Sequence, residues 1–144
     1  MTNSLIAMLA LVLFAGTPSE KKVQLKDVPA AVRSAIEVET KNATLKGVSK
    51  ETEHGQTFYE AETMRDGRSR DLLFDERGTL VEVEEEVSLD SAPAAVKSAL
   101  EGKGRLVKLE SVTKGTVVTY EAHVSRNGKT SEIALDENGK PLKQ

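Results

Sequence analysis

The chain has no cysteine and no tryptophan, and only two tyrosines and three phenylalanines among its 144 residues. Without cysteine there is no disulfide framework, no thiolate nucleophile and no cysteine-ligated zinc. With aromatics at 3%, the core has to be built from Val, Leu, Ile and Ala. Basic residues are not in excess: 20 Lys and Arg stand against 23 Asp and Glu, a net charge of −3. Nucleic-acid binding, which needs Lys and Arg gathered on one face, is therefore disfavoured. Neither a G-x-x-x-x-G-K-[ST] phosphate loop nor a G-x-G-x-x-G turn occurs, and no serine sits in a nucleophile elbow. The sequence around His54 and His123 shows no catalytic or metal-ligand spacing pattern. The chain accordingly reads as non-enzymatic. "DERGTLVEVEEE" (Asp75 to Glu86) begins with Asp and ends with Glu as a calcium loop does, but Leu80 stands sixth, where glycine is required, and Arg77 stands third. No metal and no cofactor is expected.

What is present begins with "LIAMLALVLFA" (Leu5 to Ala15), an apolar run shorter than the ~20 residues of a membrane-spanning helix and followed by Gly16, Thr17 and Pro18. This pattern predicts an export signal over residues 1–17, cleaved near Ala15 to Thr17, and then a short linker over 18–24. An uncleaved anchor is the alternative, because "MTNS" carries no Lys or Arg. No later stretch is apolar enough to span a bilayer, so the expectation is an exported protein, periplasmic or secreted, with no stable membrane span after cleavage.

Internal repetition dominates the rest. "LKDVPAAVRSAIE" (Leu25 to Glu37) matches "LDSAPAAVKSALE" (Leu89 to Glu101) at an offset of 64, and "YEAETMRDGRSRDLLFDERG" from Tyr59 matches "YEAHVSRNGKTSEIALDENG" from Tyr120 at an offset of 61. The three-residue difference falls where a hairpin turn is expected, which is where a duplicated fold tolerates a change of length. Asp27 and Ser91 suit helix N-caps, with Pro29 and Pro93 in the first turn. Val28, Val32, Ala35 and Ile36, matched by Ala92, Val96, Ala99 and Leu100, form an apolar stripe at helical spacing. Gly102 is placed to end the second helix early, whereas the first runs to about Asn42. Asp66-Gly67 and Asn127-Gly128 are two-residue hairpin signals. The expected fold class is α+β, with two tandem repeats over 25–86 and 87–144. Each repeat is one helix followed by a four-stranded antiparallel meander; side by side the two share a core or extend a sheet of up to eight antiparallel strands, with the helices packed on one face of the sheet.

Strand alternation sorts the faces. Tyr59, Ala61 and Thr63, like Tyr120, Ala122 and Val124, are directed to the core; Leu72 and Phe74, Ile133 and Leu135, and Val81 and Val83 continue that face. Glu60, Glu62, Thr119, Glu121 and His123 then form the candidate interaction face. The run Glu82, Glu84, Glu85 and Glu86 is either a docking patch for a basic partner or a solvated strand end whose charges discourage aggregation.

The helix "VPAAVRSAIE" or "APAAVKSALE", the "YEA" strand, the DG or NG turn, and "LLFDERGTLVE" or "IALDENGKPLK" together resemble the PepSY-like domain family, a group that also takes in the fold of the secreted β-lactamase inhibitor protein. The resemblance implies an exported bacterial domain that modulates or inhibits an extracytoplasmic peptidase or other hydrolase by binding it through a sheet face or an edge strand. Against the narrower inhibitor comparison, the absence of Cys and Trp removes the disulfides and most of the aromatic contacts of that protein. The partner is expected to be a protein or peptide in the envelope or outside the cell. An envelope sensor that binds a cation or small ligand is the alternative.

Overall fold

The computed structural model describes residues 19–143; the export signal expected over 1–17 lies outside them. Eight strands form one antiparallel sheet whose spatial order is the chain order: β1 (Ser19–Val23), β2 (Thr44–Glu53), β3 (Gln56–Arg65), β4 (Arg68–Asp75), β5 (Leu80–Glu86), β6 (Arg105–Lys114), β7 (Val117–Arg126) and β8 (Lys129–Asp136). Helix α1 (Ala30–Glu39) lies between β1 and β2 in the chain, and α2 (Ala94–Leu100) lies between β5 and β6.

This corrects the expectation of two tandem helix-plus-four-strand repeats. Four strands follow α1, but only three follow α2. At the position of the missing strand, Pro141 makes a single bridge to Leu135. A proline has no N–H to donate to a ladder. The eighth strand comes instead from the segment read as a linker over 18–24, which pairs with β2 from Ser19↔Thr52 to Val23↔Val48. β5 and β6 join edge to edge through four residue pairs, Val83↔Thr113 to Glu86↔Glu110, so one sheet runs through both halves.

The turns follow the sequence. Asp66 and Gly67 have φ of 51° and 78°, and Asn127 and Gly128 have 52° and 75°. Those left-handed angles are what a two-residue hairpin of type I′ requires, and Asp, Asn and Gly adopt them most readily.

The helices start later than the capping pattern suggests. Asp27 and Ser91 lie in short 3₁₀ turns (Leu25–Asp27 and Leu89–Ser91), and the residues that flank the helices are Pro29 and Pro93, with no side-chain cap. The cause is local: a residue before proline is pushed to extended backbone, and Val28 and Ala92 accordingly have ψ of 157° and 154°. The first helix ends at Glu39 rather than Asn42, closed by Thr40, whose Oγ1 donates to the Ile36 carbonyl at 2.7 Å.

Both helices cover the same face. Leu72 pairs with Val83 and Val83 with Thr113, which places the α1 side of the sheet in line with Ser111 and Leu109 on the α2 side. Under α1, Val32 and Ile36 are wholly buried against Val48, Tyr59, Ala61, Leu72 and Phe74. Under α2, Val96 and Leu100 are buried against Leu109, Ala122, Val124 and Leu135. Each such aliphatic side chain contributes about 1.5–3 kcal/mol on burial. No residue belongs to both clusters, so one sheet carries two cores.

Each half also ends its β-hairpin run with the same clamp. Asp75 Oδ1 accepts from the N–H groups of Arg77 and Thr79, both at 2.9 Å, and Asp136 Oδ1 accepts from Asn138 and Lys140 at 2.9 Å. The turn so fixed is pressed beneath the helix start: a Cβ on Gly78 would lie 2.6 Å from the Ala31 carbonyl oxygen, and one on Gly139 2.4 Å from that of Ala95.

Candidate interaction face

Because alternate residues of a strand point to opposite sides, everything that does not face the helices lines the other surface of the sheet. The register shows that this surface holds all five sequence-predicted residues. Glu60 stands across from Ser49 and Leu73, and Glu62 from Gly47 and Asp71. In the other half, Thr119 stands across from Val112 and Asp136, Glu121 from Glu110 and Ala134, and His123 from Lys108 and Glu132. The sheet therefore unites the five on one surface, but in two groups separated by β4, β5 and β6. Tyr59 is buried in the first core and Tyr120 packs against the second, as the alternation predicts.

Between those groups lie residues that the sequence reading missed or misread. Glu82 and Glu84 are 3% and 5% exposed, Glu110 is 2% and Glu51 is 6%. The reading of Glu82 and Glu84 as a solvated strand end is thus corrected: they occupy the middle of the helix-free face, with carboxylates on both sides. Glu85 points the other way and pairs with Arg70 at 3.4 Å. A parity count carried onto β2 and β6 would have found Glu51 and Glu110, but the register shifts at Leu45/Gly47 and Leu106/Lys108 displace any count begun at the strand starts.

The electrostatics follow from crowding acids where water has little access. Burial, with the charge of Glu51 next in size, pushes Glu60 up to about 9. Burial followed by the charge of Glu82 does the same to Glu84, again to about 9. Glu51 and Glu60 share a side-chain hydrogen bond, as do Glu82 and Glu84. One member of each pair must carry a proton to donate it. Burial raises Glu121 to about 7, assisted by Glu132, Glu110 and Glu82 and opposed by Lys114. Burial also lifts Asp71 to about 6, although the Thr63 N–H donates to its Oδ1 at 3.2 Å.

Internal cations answer only part of this charge. Lys108 Nζ lies 2.5 Å from Glu110 Oε1, and His123 Nε2 lies 3.5 Å from Glu110 Oε2. Lys114 Nζ lies 2.8 Å from Glu82 Oε2 without hydrogen-bond geometry, and Lys22 Nζ lies 3.8 Å from Glu62. Glu121 is 7% exposed, and Lys114 is the cation that acts on it electrostatically. Among the described residues, no three His, Asp or Glu side chains are arranged to hold a metal ion.

No family model and no curated protein matches this chain. Solved structures do. A suggested periplasmic protein from Bacteroides eggerthii aligns with a TM-score of 0.65 at 19% identity, covering 81% of this chain and 86% of its own. A BLIP-like protein from Bacteroides fragilis aligns with a TM-score of 0.58 at 22% identity, covering 81% and 84%. A DUF2874 family protein from Bacteroides ovatus gives 0.61 at 19%, covering 81% and 85%.

The chain has a BLIP-like fold. That is the coarser half of the resemblance drawn from the sequence; these alignments speak to fold and do not extend to membership of the PepSY-like family. Among the described residues no helix is long and apolar enough to cross a membrane.

Proposed function

We propose that this BLIP-like chain is an exported, non-enzymatic module that binds another protein through the helix-free face of its sheet. The observation that carries this reading is the continuity of that face: Glu60, Glu84 and Glu121, drawn from both halves, lie on one surface that neither α1 nor α2 covers. Carboxylates crowded where water has little access gain most from a partner that supplies donors to them. Location in the periplasm or outside the cell accords with the apolar leader and with the descriptions of the structural neighbours. Action on a peptidase or other hydrolase is the most concrete form of the proposal and rests on the family resemblance.

The test is capture of exported proteins on the immobilised chain, alongside a variant in which Glu60, Glu62, Glu121 and His123 are exchanged for Lys. A hydrolase retained by the native chain, lost by the variant and inhibited when the purified pair is assayed is the expected result. Equal retention by both baits would move the binding surface elsewhere on the molecule.

A further inference from the structure

We propose that the outer edge of β8 takes one more antiparallel strand, an extended segment of the partner with an apolar side chain opposite Ile133 and a basic one opposite Glu132. This rests on the protein-binding reading and adds a second surface to the helix-free face. β8 closes the sheet order, and β7 is its one neighbouring strand among the described residues. On its outer side the described chain meets it only at one end. There the Asp136 N–H donates to the Lys140 carbonyl and the Leu142 N–H to the Ala134 carbonyl, both at 2.9 Å, and Pro141 bridges Leu135. Backbone groups alternate sides along an antiparallel strand, so Thr130 and Glu132 turn theirs outward as Ala134 and Asp136 do. Among the described residues no strand pairs with them there. An edge in that state is a template for another chain.

The first half of the molecule shows what such an edge accepts. β4 matches β8 at the offset of 61, and its outer side is covered by β5 through Arg70↔Glu85, Asp71↔Glu84 and Leu72↔Val83. The residues at those places in β8 are Ser131, Glu132 and Ile133. Burial departs between the two strands over that stretch alone. Leu72 is wholly buried and Arg70 half-buried, whereas Ile133 is only half-buried and Ser131 exposed. Beside the Pro141 bridge, Ala134 and Leu135 are buried just as Leu73 and Phe74 are. An apolar residue in the place of Val83 would shelter Ile133 and extend the second core, against which Ile133 already packs. Glu132 points to the other side, the face already rich in acids. Where β5 sets Glu84 against Asp71, a Lys or Arg is therefore favoured against Glu132, because opposite charges directly across a ladder attract and like charges repel. Backbone hydrogen bonds supply the affinity of such a strand, and its alternate side chains the selectivity.

Amide hydrogen exchange on the folded chain reads this edge directly. Thr130 and Glu132 should exchange fast in the free protein and about tenfold more slowly when it is saturated with a peptide that copies Val81 to Val87 with Glu84→Lys. Anisotropy of the labelled peptide measures the affinity. It should fall roughly tenfold when the peptide amide at the copy of position 84, which faces β8, is N-methylated, and stay unchanged when that at position 85 is. The copy that keeps Glu84 should bind several-fold more weakly. Because the methyl group sits on the peptide, a loss of binding cannot come from a misfolded protein. Equal losses from the two methylations, or binding that leaves Thr130 and Glu132 unprotected, would overturn the β8 seat. Protection of those amides that grows with protein concentration in the absence of peptide would assign the edge to a second copy of this chain and overturn the partner strand. If the peptide fails to bind while a partner is still captured by the native chain and lost by the Lys-substituted face, the β8 seat fails and the helix-free-face reading stands.

Discussion

Glu51 on β2 and Glu60 on β3 are diagonal neighbours on the helix-free face and share one hydrogen bond between their carboxyl groups. Such a bond exists only while one of the two keeps its proton.

The pH dependence of stability follows from that pair and from its counterpart, Glu82 and Glu84. Between about pH 4.5, where these side chains ionise in an unfolded chain, and about 9, where Glu60 and Glu84 ionise in the folded one, the native state holds protons that the unfolded state has released. Their stabilisation is fully present below the unfolded value and is lost as pH rises through the folded value. Asp75 has the opposite sign: two backbone N–H donors hold it below its ordinary value, and its contribution is lost in stronger acid. The melting temperature should be highest in mildly acidic solution and decline steadily to pH 9. A profile rising from pH 5 to pH 8 would contradict the protonated pairs.

Glu84→Gln supplies the proton covalently. It should leave stability at pH 5 nearly unchanged and raise it at pH 9 by on the order of 1 kcal/mol, flattening the profile. Glu62→Gln, at a half-buried and ion-paired position, serves as the comparison and should not flatten it. Denaturant titrations at the two pH values read both variants.

The clamped turns should resist even the smallest side chain. Gly139→Ala places a methyl group 2.4 Å from the Ala95 carbonyl oxygen at a φ of 74°, and Gly78→Ala does the same at 2.6 Å from that of Ala31. Each should cost roughly 2 kcal/mol or more. Gly67→Ala shares the positive φ but meets nothing within 4 Å, so it should cost only about 1 kcal/mol. Equal costs at the three positions would show that the backbone angle alone matters.

Separate cores predict additive damage. Ile36→Val under α1 should cost about 1 kcal/mol and Val96→Ala under α2 about 2 kcal/mol, and the double variant should lose their sum to within about 0.5 kcal/mol. A substantial coupling energy in the denaturation cycle would show that the two interiors communicate through the sheet.

What the sequence made legible was local. Turn chemistry at Asp66-Gly67 and Asn127-Gly128, the apolar stripes of the two helices and the face of Tyr59 are all decided by residues next to one another. Hydrophobicity misleads on β5, where Glu82 and Glu84 are more buried than Val81 and Val83 between which they alternate. Burial there is set by the strands on either side, with Leu73 and Asp71 of β4 and Val112 of β6 standing across from these residues, and no property of "LVEVEEE" announces it. The same holds for β1: "SEKKV" carries no strand pattern, and it becomes a strand because β2 offers it an open edge. The missing fourth strand of the second half was hidden for the opposite reason, since Asp136 to Gly139 repeats the turn that precedes β5 while Pro141 cannot repeat the strand.

The seam between β5 and β6 is four residue pairs wide, with Glu82 of one half against Lys114 of the other. On either side of it stands a hydrophobic interior that owes no side chain to its neighbour. A molecule drawn like this has a dotted line through it. Two chains that open along that line can each close on the other's half, breaking and remaking only the seam, so intertwined dimers are reachable without repacking a single core residue. For such a protein, the concentration at which it folds would govern whether its halves find each other or a stranger's.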